Sequence, residues 1–317
     1  MSATIPAVSV VLPTYNRARL LPRAIASVLG QSFGDFELLV VDDGSSDGTE
    51  SVVRGFADPR LRFLPAERNL GDAGARNRAA AQARGVWLAF QDSDDEWLPG
   101  KLQRQMDFAA TLGPDFAAVG GTLLRFLGGP VQRVAWPLTE PSATAGEVAR
   151  DRFVEGFCAY LQSLIVRRQV FAELGGFDIQ VKSRSDFEFC LRLISHHRIA
   201  AVSDAVALSY ETPEGISLRK DYRVADIRYI VQRHDKLIAA NRRTAARYWY
   251  DLAKAELIAG DASAGRRAAW RALGYRPIRP LTWTLLAVAP FGGGAVEKMS
   301  HFSQALRQRL QPGNRSR

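Results

Sequence analysis

The first third of the chain alternates short β-branched apolar runs with stretches of helical spacing, and that alternation restricts it to very few architectures. "VSVVLP" (Val8 to Pro13) precedes the helical "LLPRAIASVLGQ", and "FELLVV" runs into the Gly/Ser turn "DDGSSDGT", where Ser46 or Asp47 can cap the next helix. "LRFLP" (Leu61 to Pro65), the Ala-rich "GDAGARNRAAAQARG" and "VWLAFQ" (Val86 to Gln91) continue the pattern. Apolar runs without polar alternation are strands buried on both faces, so the expected fold class is α/β, with a sheet covered by helices on each side. In such sheets ligands bind beyond the C-terminal ends of the strands.

The polar residues of this region collect at those ends. Thr14, Tyr15 and Asn16 follow the first run, Asp42 and Asp43 close the second, and Asp92, Asp94 and Asp95 close the fourth. Three carboxylates within four residues repel one another and resist desolvation unless a positive group sits among them. Mg2+ or Mn2+ would supply it, since both take one or two carboxylates and fill their remaining positions with phosphate oxygens and water. If the segment is extended, Asp92 and Asp94 point the same way, so one can bind the ion while the other accepts hydrogen bonds from a ribose. An acidic loop capping a helix over residues 97–112 is the plainer reading of the same triplet.

Beyond residue 110 the pattern loosens. "FAAVGGTLLRF" and "VQRVAW" read as strands, and "EGFCAYLQSLIVRRQVFAELGGFD" as a strand or two followed by a short helix. "SRSDFEFCLRLISHH" (Ser183 to His197) has helical spacing with Asp186 near its start, and "RIAAVSDAVALSYE" reads as the last strands. From about residue 221 the periodicity is all helical, which divides the chain into a sheet-bearing domain over 1–220 and a helical extension over 221–317. Cys158 and Cys190 are far apart and have no metal-ligand spacing, so buried thiols in a reducing cytoplasm are expected. The N-terminus lacks the basic n-region and the cleavage site of a secretory signal, and no apolar window reaches membrane-spanning length.

Charge is unevenly divided. Residues 219–317 hold 20 Lys/Arg against 7 Asp/Glu, a net +13, whereas the rest of the chain carries −4. No nucleic-acid-binding motif accompanies this excess, so nucleic acid is not the expected partner. An anionic membrane surface fits better, with Trp283 and Phe291 entering the interface, and solvated helix faces are the ordinary alternative.

The run from "VSVVLPTYNRARLLPRAIASVLGQSFGDFELLVVDDGSSDGT" to "ERNLGDAGARNRAAAQARGVWLAFQDSDDEWLPGKL" resembles the family 2 glycosyltransferases. The resemblance implies a GT-A-type, Rossmann-like mixed sheet with helices on both faces and a C-terminal helical extension. It implies an inverting transfer of sugar from a nucleoside-diphosphate sugar, UDP most readily, with Mn2+ or Mg2+ as cofactor, to a hydroxyl of a glycan or lipid-linked acceptor in cell-surface polysaccharide synthesis. By the same resemblance Pro13, Thr14, Tyr15 and Asn16 line the base pocket. Asp43 bonds the base, with Asp42 as its near alternative, and Asp92 lies by the ribose. Asp94 holds the metal, with Asp95 as the competing ligand. Arg76 and Asn77 of "GARN" either approach the diphosphate or pack the helix.

"GGFDIQVKSRSDFEFCLRL" resembles the family's segment from a Gly-Gly-Phe-Asp turn to an acidic pair, whose second acid is the base. That position is Asp186, and the first acid is replaced by Ser185. At "SYETPEGIS" the histidine that members often carry after a Tyr-Arg pair is missing, which leaves Glu211 or a water in its place. These departures sustain an alternative, a degenerate transferase kept as a sugar-binding or scaffold module. A sugar-nucleotide pyrophosphorylase is disfavoured because "PTYNRARLL" has no glycine, and a dinucleotide oxidoreductase because no G-x-G-x-x-G follows the first strand. The expected location is the cytoplasm, peripheral on the inner face of the membrane.

Overall fold

The structure is a computed structural model that describes residues 5–126, 128–155, 160–212 and 220–310; Cys158 and Pro213 lie outside them. The chain divides into two compact units, Met1–Leu218 and Arg219–Arg317.

The first unit opens with β1 (Val8–Thr14), α1 (Leu21–Leu29), β2 (Phe36–Asp42), α2 (Thr49–Arg54), β3 (Leu61–Pro65), α3 (Gly71–Gln82) and β4 (Trp87–Phe90). Every residue of β1, β2 and β4 is buried, as strands covered on both faces must be. β1 pairs in parallel with β2 on one side and with β4 on the other, and β2 pairs with β3. The order β3-β2-β1-β4 reverses direction at β1, so the loops after β1 and β4 diverge and leave a crevice at the carboxyl ends.

The unit continues with β5 (Glu96–Trp97), α4 (Lys101–Ala110), β6 (Phe116–Phe126), β7 (Gln132–Val134), β8 (Ala145–Glu147), α5 (Arg150–Val154), β9 (Ile165–Arg167), α6 (Arg168–Glu173), α7 (Ser185–His196) and β10 (Arg198–Tyr210). β9 joins the halves, antiparallel to both β4 and β6. β10 runs parallel to β6 and antiparallel to β5 and β8. The sheet is therefore mixed, as the GT-A-type reading requires. The stretch read as the last strands is one 13-residue strand whose register against β6 shifts three times. A helix over residues 97–112 is corrected to 101–110, because Glu96 and Trp97 pair with β10 and Pro99 precedes the helix.

One face of the sheet packs Leu21, Ile25 and Val28 of α1 and Leu102 of α4 against Val8, Val10, Leu12, Trp87 and Ala89. The opposite face is aromatic: Phe90, Phe171, Phe177 and Phe189 meet with ring centroids 5.1–5.6 Å apart. That cluster seats α6 and the start of α7 behind the end of β4.

The second unit comprises α8 (Lys220–Arg233), α9 (Asp235–Ala239), α10 (Arg242–Ile258), α11 (Ala262–Tyr275), α12 (Pro280–Val288) and α13 (Gly293–Leu310). Asn241 and Asp261 cap α10 and α11 by accepting from the first free N–H groups. Gly265 lets α11 close on α10, since a Cβ there would lie 2.5 Å from Leu257. Among the described residues no helix is long and apolar enough to cross a membrane.

Candidate active site

Parallel pairing carries β1, β2 and β4 to the same edge, so the polar residues that follow them share one rim. The loops after β1 and β2 are tied together. Asn16, at a φ of 52°, accepts from Ser46 N at 2.8 Å, and its own N–H donates to Ser45 Oγ at 2.8 Å. Ser45 N donates to Asp42 Oδ1 at 3.0 Å across Gly44, whose φ of 82° suits a residue without a Cβ. Asp47 accepts from Thr49 N and Ala18 N, both at 3.0 Å, so it fixes the start of α2 and the start of α1's approach together. Pro13 and Thr14 are interior, while Tyr15 stands out into solvent. Asp43 accepts from Leu70 N at 2.7 Å and Gly71 N at 2.9 Å, at the head of α3. Burial nevertheless raises its carboxyl above the ordinary range, with Asp72 and Asp42 adding to the rise.

The expectation of an extended acidic segment is corrected. β4 stops at Phe90 and residues 92–95 form a turn closed by Asp95 N to Asp92 O at 3.2 Å. Strand alternation does not align Asp92 with Asp94, and each of the three acids meets a different partner. Asp92 Oδ1 accepts from Arg76 Nη2 at 2.6 Å. Asp94 Oδ2 accepts from Thr212 Oγ1 at 2.7 Å and lies 3.8 Å from Arg17 Nη1. Asp95 is 2% exposed and accepts from Tyr210 N at 2.9 Å and from Gln162 Nε2. Asp94 is the more accessible of the two proposed metal ligands. Asp95 instead ties the rim to β10, and desolvation with two acidic neighbours pushes it well above the usual carboxylate range.

α7 delivers Asp186 to the same side. The turn before α7 is held by Asn77, which donates from Nδ2 to Phe177 O and accepts from Phe177 N, both at 2.8 Å. Gly176 permits this, for its φ is +68° and a Cβ would lie 2.6 Å from Asn77 Oδ1. Arg192 donates to Gly176 O at 2.7 Å while paired with the buried Glu188. Both polar atoms of the Asn77 amide are thus engaged by the backbone of this turn. Arg76 sits between the clusters, bonded to Asp72 and Asp92 and close to Asp186. Burial alone would lower its guanidinium, and the three acids hold it above its ordinary value. Desolvation lifts Asp92 and Asp186 each to about 6, more than Arg76 pulls them down.

Arg17, Gln162 and Thr212 were not singled out from the sequence. Arg17 directly follows "PTYN" and was within reach of that reading. Thr212 meets Asp94 across 118 residues, with no local pattern to announce it. It is Thr212, rather than the exposed Glu211, that reaches the acidic turn where the family's histidine is missing.

Residues 9–171 match the family described as glycosyl transferase family 2. The chain belongs to that family. The succinoglycan biosynthesis protein ExoO of Rhizobium meliloti is 30% identical over 254 residues, 78% of this chain and 70% of that protein. WfgD of Escherichia coli, a UDP-Glc:alpha-D-GlcNAc-diphosphoundecaprenol beta-1,3-glucosyltransferase, is 46% identical over 99 residues, 31% of this chain and 39% of its own length. Among solved structures, residues 1–349 of S. aureus TarS in complex with UDP-GlcNAc superpose with a TM-score of 0.63 at 20% identity, over 84% of this chain and 88% of that one. The fold is of the GT-A type, and the chain is a glycosyltransferase.

Proposed function

We propose that the rim transfers a sugar, with inversion, from a nucleoside-diphosphate sugar to a hydroxyl of a glycan or lipid-linked acceptor in the synthesis of a cell-surface polysaccharide. The observation that carries the reading is the placement of Asp94 at the strand-order reversal and of Asp186 at the head of α7, with Arg76 between them. WfgD, by its name, acts on a diphosphoundecaprenol-linked acceptor with a UDP-linked donor, and this supports UDP and a lipid-linked acceptor.

Asp94 is a hard oxygen donor, partly exposed in its turn, which suits Mn2+ or Mg2+. Among the described residues no three acidic, His or Cys side chains gather into a cage, so phosphate and water must complete the coordination, as those ions accept. When bound, the ion supplies charge neutralisation at the diphosphate. Thr212 and Arg17 already bracket Asp94 and would orient its carboxylate. The loop of Pro13, Thr14, Tyr15 and Asn16 with Asp42 and Asp43 receives the base, and Asp92 faces the ribose.

Asp186 takes the acceptor proton as the acceptor oxygen bonds the anomeric carbon and that carbon's bond to the diphosphate oxygen breaks, releasing the nucleoside diphosphate. A carboxylate lifted to about 6 is a stronger base than an ordinary one and is still mostly ionised at neutral pH. Ser185 leaves the acceptor without a second acid beside the base.

Titration of the protein with UDP-sugars, with and without Mn2+, tests the donor half. Metal-dependent uptake that disappears in Asp94→Asn is expected. Equal donor binding by wild type and Asp94→Asn in Mn2+ would refute it. The rival reading, a sugar-binding module, predicts that Asp186→Asn changes nothing.

A further inference from the structure

Between Asp261 and Glu297 the chain has five arginines and not one acidic residue, interleaved with Trp270, Tyr275, Trp283 and Phe291. This segment covers α11, α12 and the turn after it. α12 turns Thr282, Leu285 and Ala289 inward. Its outward positions in a soluble helix would be polar. Here the helix carries no charge at all, and Trp283, Ala287 and Phe291, four residues apart, face solvent.

The exposure is large and local. Ile278 is 90% exposed, Phe291 79%, Trp270 58% and Trp283 48%. Trp270 of α11 and Trp283 of α12 meet edge to face at 5.7 Å, and Trp283 Nε1 donates to Pro277 O at 2.7 Å. The two indoles and the 276–279 turn thus form one apolar corner held in place by its own hydrogen bond. Arg266 and Arg267 lie one helical turn before Trp270, and they and Arg276 are exposed beside it.

An apolar corner of this kind asks for a cover. A second copy of the chain is a poor one, because a two-fold contact sets a patch against itself and would bring arginines against arginines with no acid to pair them. An anionic bilayer answers both features at once. Indole rings settle at the headgroup level, short aliphatic side chains enter the acyl boundary, and guanidinium groups meet the lipid phosphates.

We infer that the α11–α12 corner, through Trp270, Ile278, Trp283 and Phe291 with Arg266, Arg267 and Arg276, docks the helical unit on an anionic membrane surface. The inference deepens the reading of a lipid-linked acceptor and rests on it. It also relocates the wedge: Trp270 and Ile278, which periodicity alone did not single out, join Trp283 and Phe291.

Co-sedimentation of the full chain with vesicles tests it, using phosphatidylcholine with about a third phosphatidylglycerol against phosphatidylcholine alone. Binding to the anionic vesicles is expected, with a blue shift in tryptophan emission and a loss of about tenfold in apparent affinity between roughly 0.1 and 0.5 M salt. Trp270→Ser with Trp283→Ser lowers that affinity by about tenfold or more. Arg266→Gln, Arg267→Gln and Arg276→Gln together, all at exposed positions, lower it similarly and flatten the salt dependence. Failure to bind anionic vesicles overturns the inference, as does unchanged binding in the arginine variant. A concentration-dependent dimer that the tryptophan variant abolishes overturns it too, in favour of self-association. Slow hydrolysis of the nucleotide sugar without vesicles is read in parallel. If it persists while docking fails, only the docking surface is wrong, and if it is absent while vesicles bind, only the donor reading is.

Discussion

The half of the sheet built by β1 to β4 and the half built by β6, β9 and β10 hold their polar groups in different ways. In the first, backbone N–H groups and neighbouring turns do the holding: Asp42 takes Ser45 N, Asp43 takes Leu70 N and Gly71 N, and Asn16 takes Ser46 N. Where the acids after β4 meet the second half, groups distant in sequence do the holding instead. Gln162 and Tyr210 N hold Asp95, Thr212 holds Asp94, and Arg76 balances Asp92 against Asp186. Backbone-held loops form with the fold and are suited to a donor whose base and ribose recur. A network of side chains can be retuned by one substitution, and on the proposed reading it spans from the donor's ribose and diphosphate at Asp92 and Asp94 to the variable acceptor at Asp186.

Removing the proposed base should separate the halves most sharply. Asp186→Asn is expected to lower kcat by about 10²–10⁴-fold while leaving Mn2+-dependent UDP-sugar binding intact. Equal losses in both would mean that Asp186 belongs to the donor side and would erase the division. In wild type, log kcat/KM should rise with unit slope up to about pH 6, where Asp186 ionises, and level above it. A profile flat from pH 5 to 8 would remove Asp186 from the base role.

Arg76 is where the halves meet. Arg76→Met strands Asp72, Asp92 and Asp186 without their shared cation, and loss of one partner from a buried charge cluster costs about 3–5 kcal/mol. The sign with pH follows from the acids. Asp92 and Asp186 have folded pKa values of about 6, above their ordinary 3.8. Between those values the native state binds more protons, so wild-type stability falls as pH rises through that window. The variant, without Arg76 to oppose the repulsion, should fall further. Urea unfolding at pH 5 and pH 7.5 should therefore show a larger deficit at the higher pH, and an equal deficit at both would mean that Arg76 acts through packing alone.

What could be read from the sequence divides along the same line. β1 to β4 were legible because a period and a turn are local signals, and acids at strand ends are visible as letters. The alignment of Asp92 with Asp94 misled, because a tight turn after Phe90 replaces the extended backbone that alternation assumes. Thr212, Gln162 and Arg76's triple pairing depend on where β10, β9 and α7 come to lie, and no short window encodes that. Asp186 was found by likeness of motif, not by physics: a lone Asp at a helix start is ordinarily a favourable charge at the dipole's positive end. The exposed corner of α11 and α12 was half legible, since composition showed the missing acids but not which aromatics stay outside.

The smallest expected effect probes the seam between the halves. Lys101 is fully buried at the start of α4, 4.3 Å over the Trp97 ring, and donates to Gln105 Oε1 at 2.6 Å. Gln105 Nε2 in turn donates to Val119 O of β6 and Ser163 O, each at 2.9 Å, which fastens α4 to the second half. Burial pushes the ammonium well below its ordinary pKa of 10.5, against the attraction of the ring. Lys101→Met keeps the volume and the contact with Trp97, relieves the desolvation and frees one acceptor of Gln105, so stability should change by no more than about 1 kcal/mol. Gln105→Met removes both bonds to the second half and should cost about 1–3 kcal/mol. The linkage has a definite sign. Because the folded pKa is depressed, the unfolded chain binds more protons as pH approaches 10.5, and wild-type stability rises with pH over that range. The Met variant should lose that slope. A loss of several kcal/mol in Lys101→Met would show instead that a buried cation, rather than the amide of Gln105, fastens α4 to the rest of the sheet.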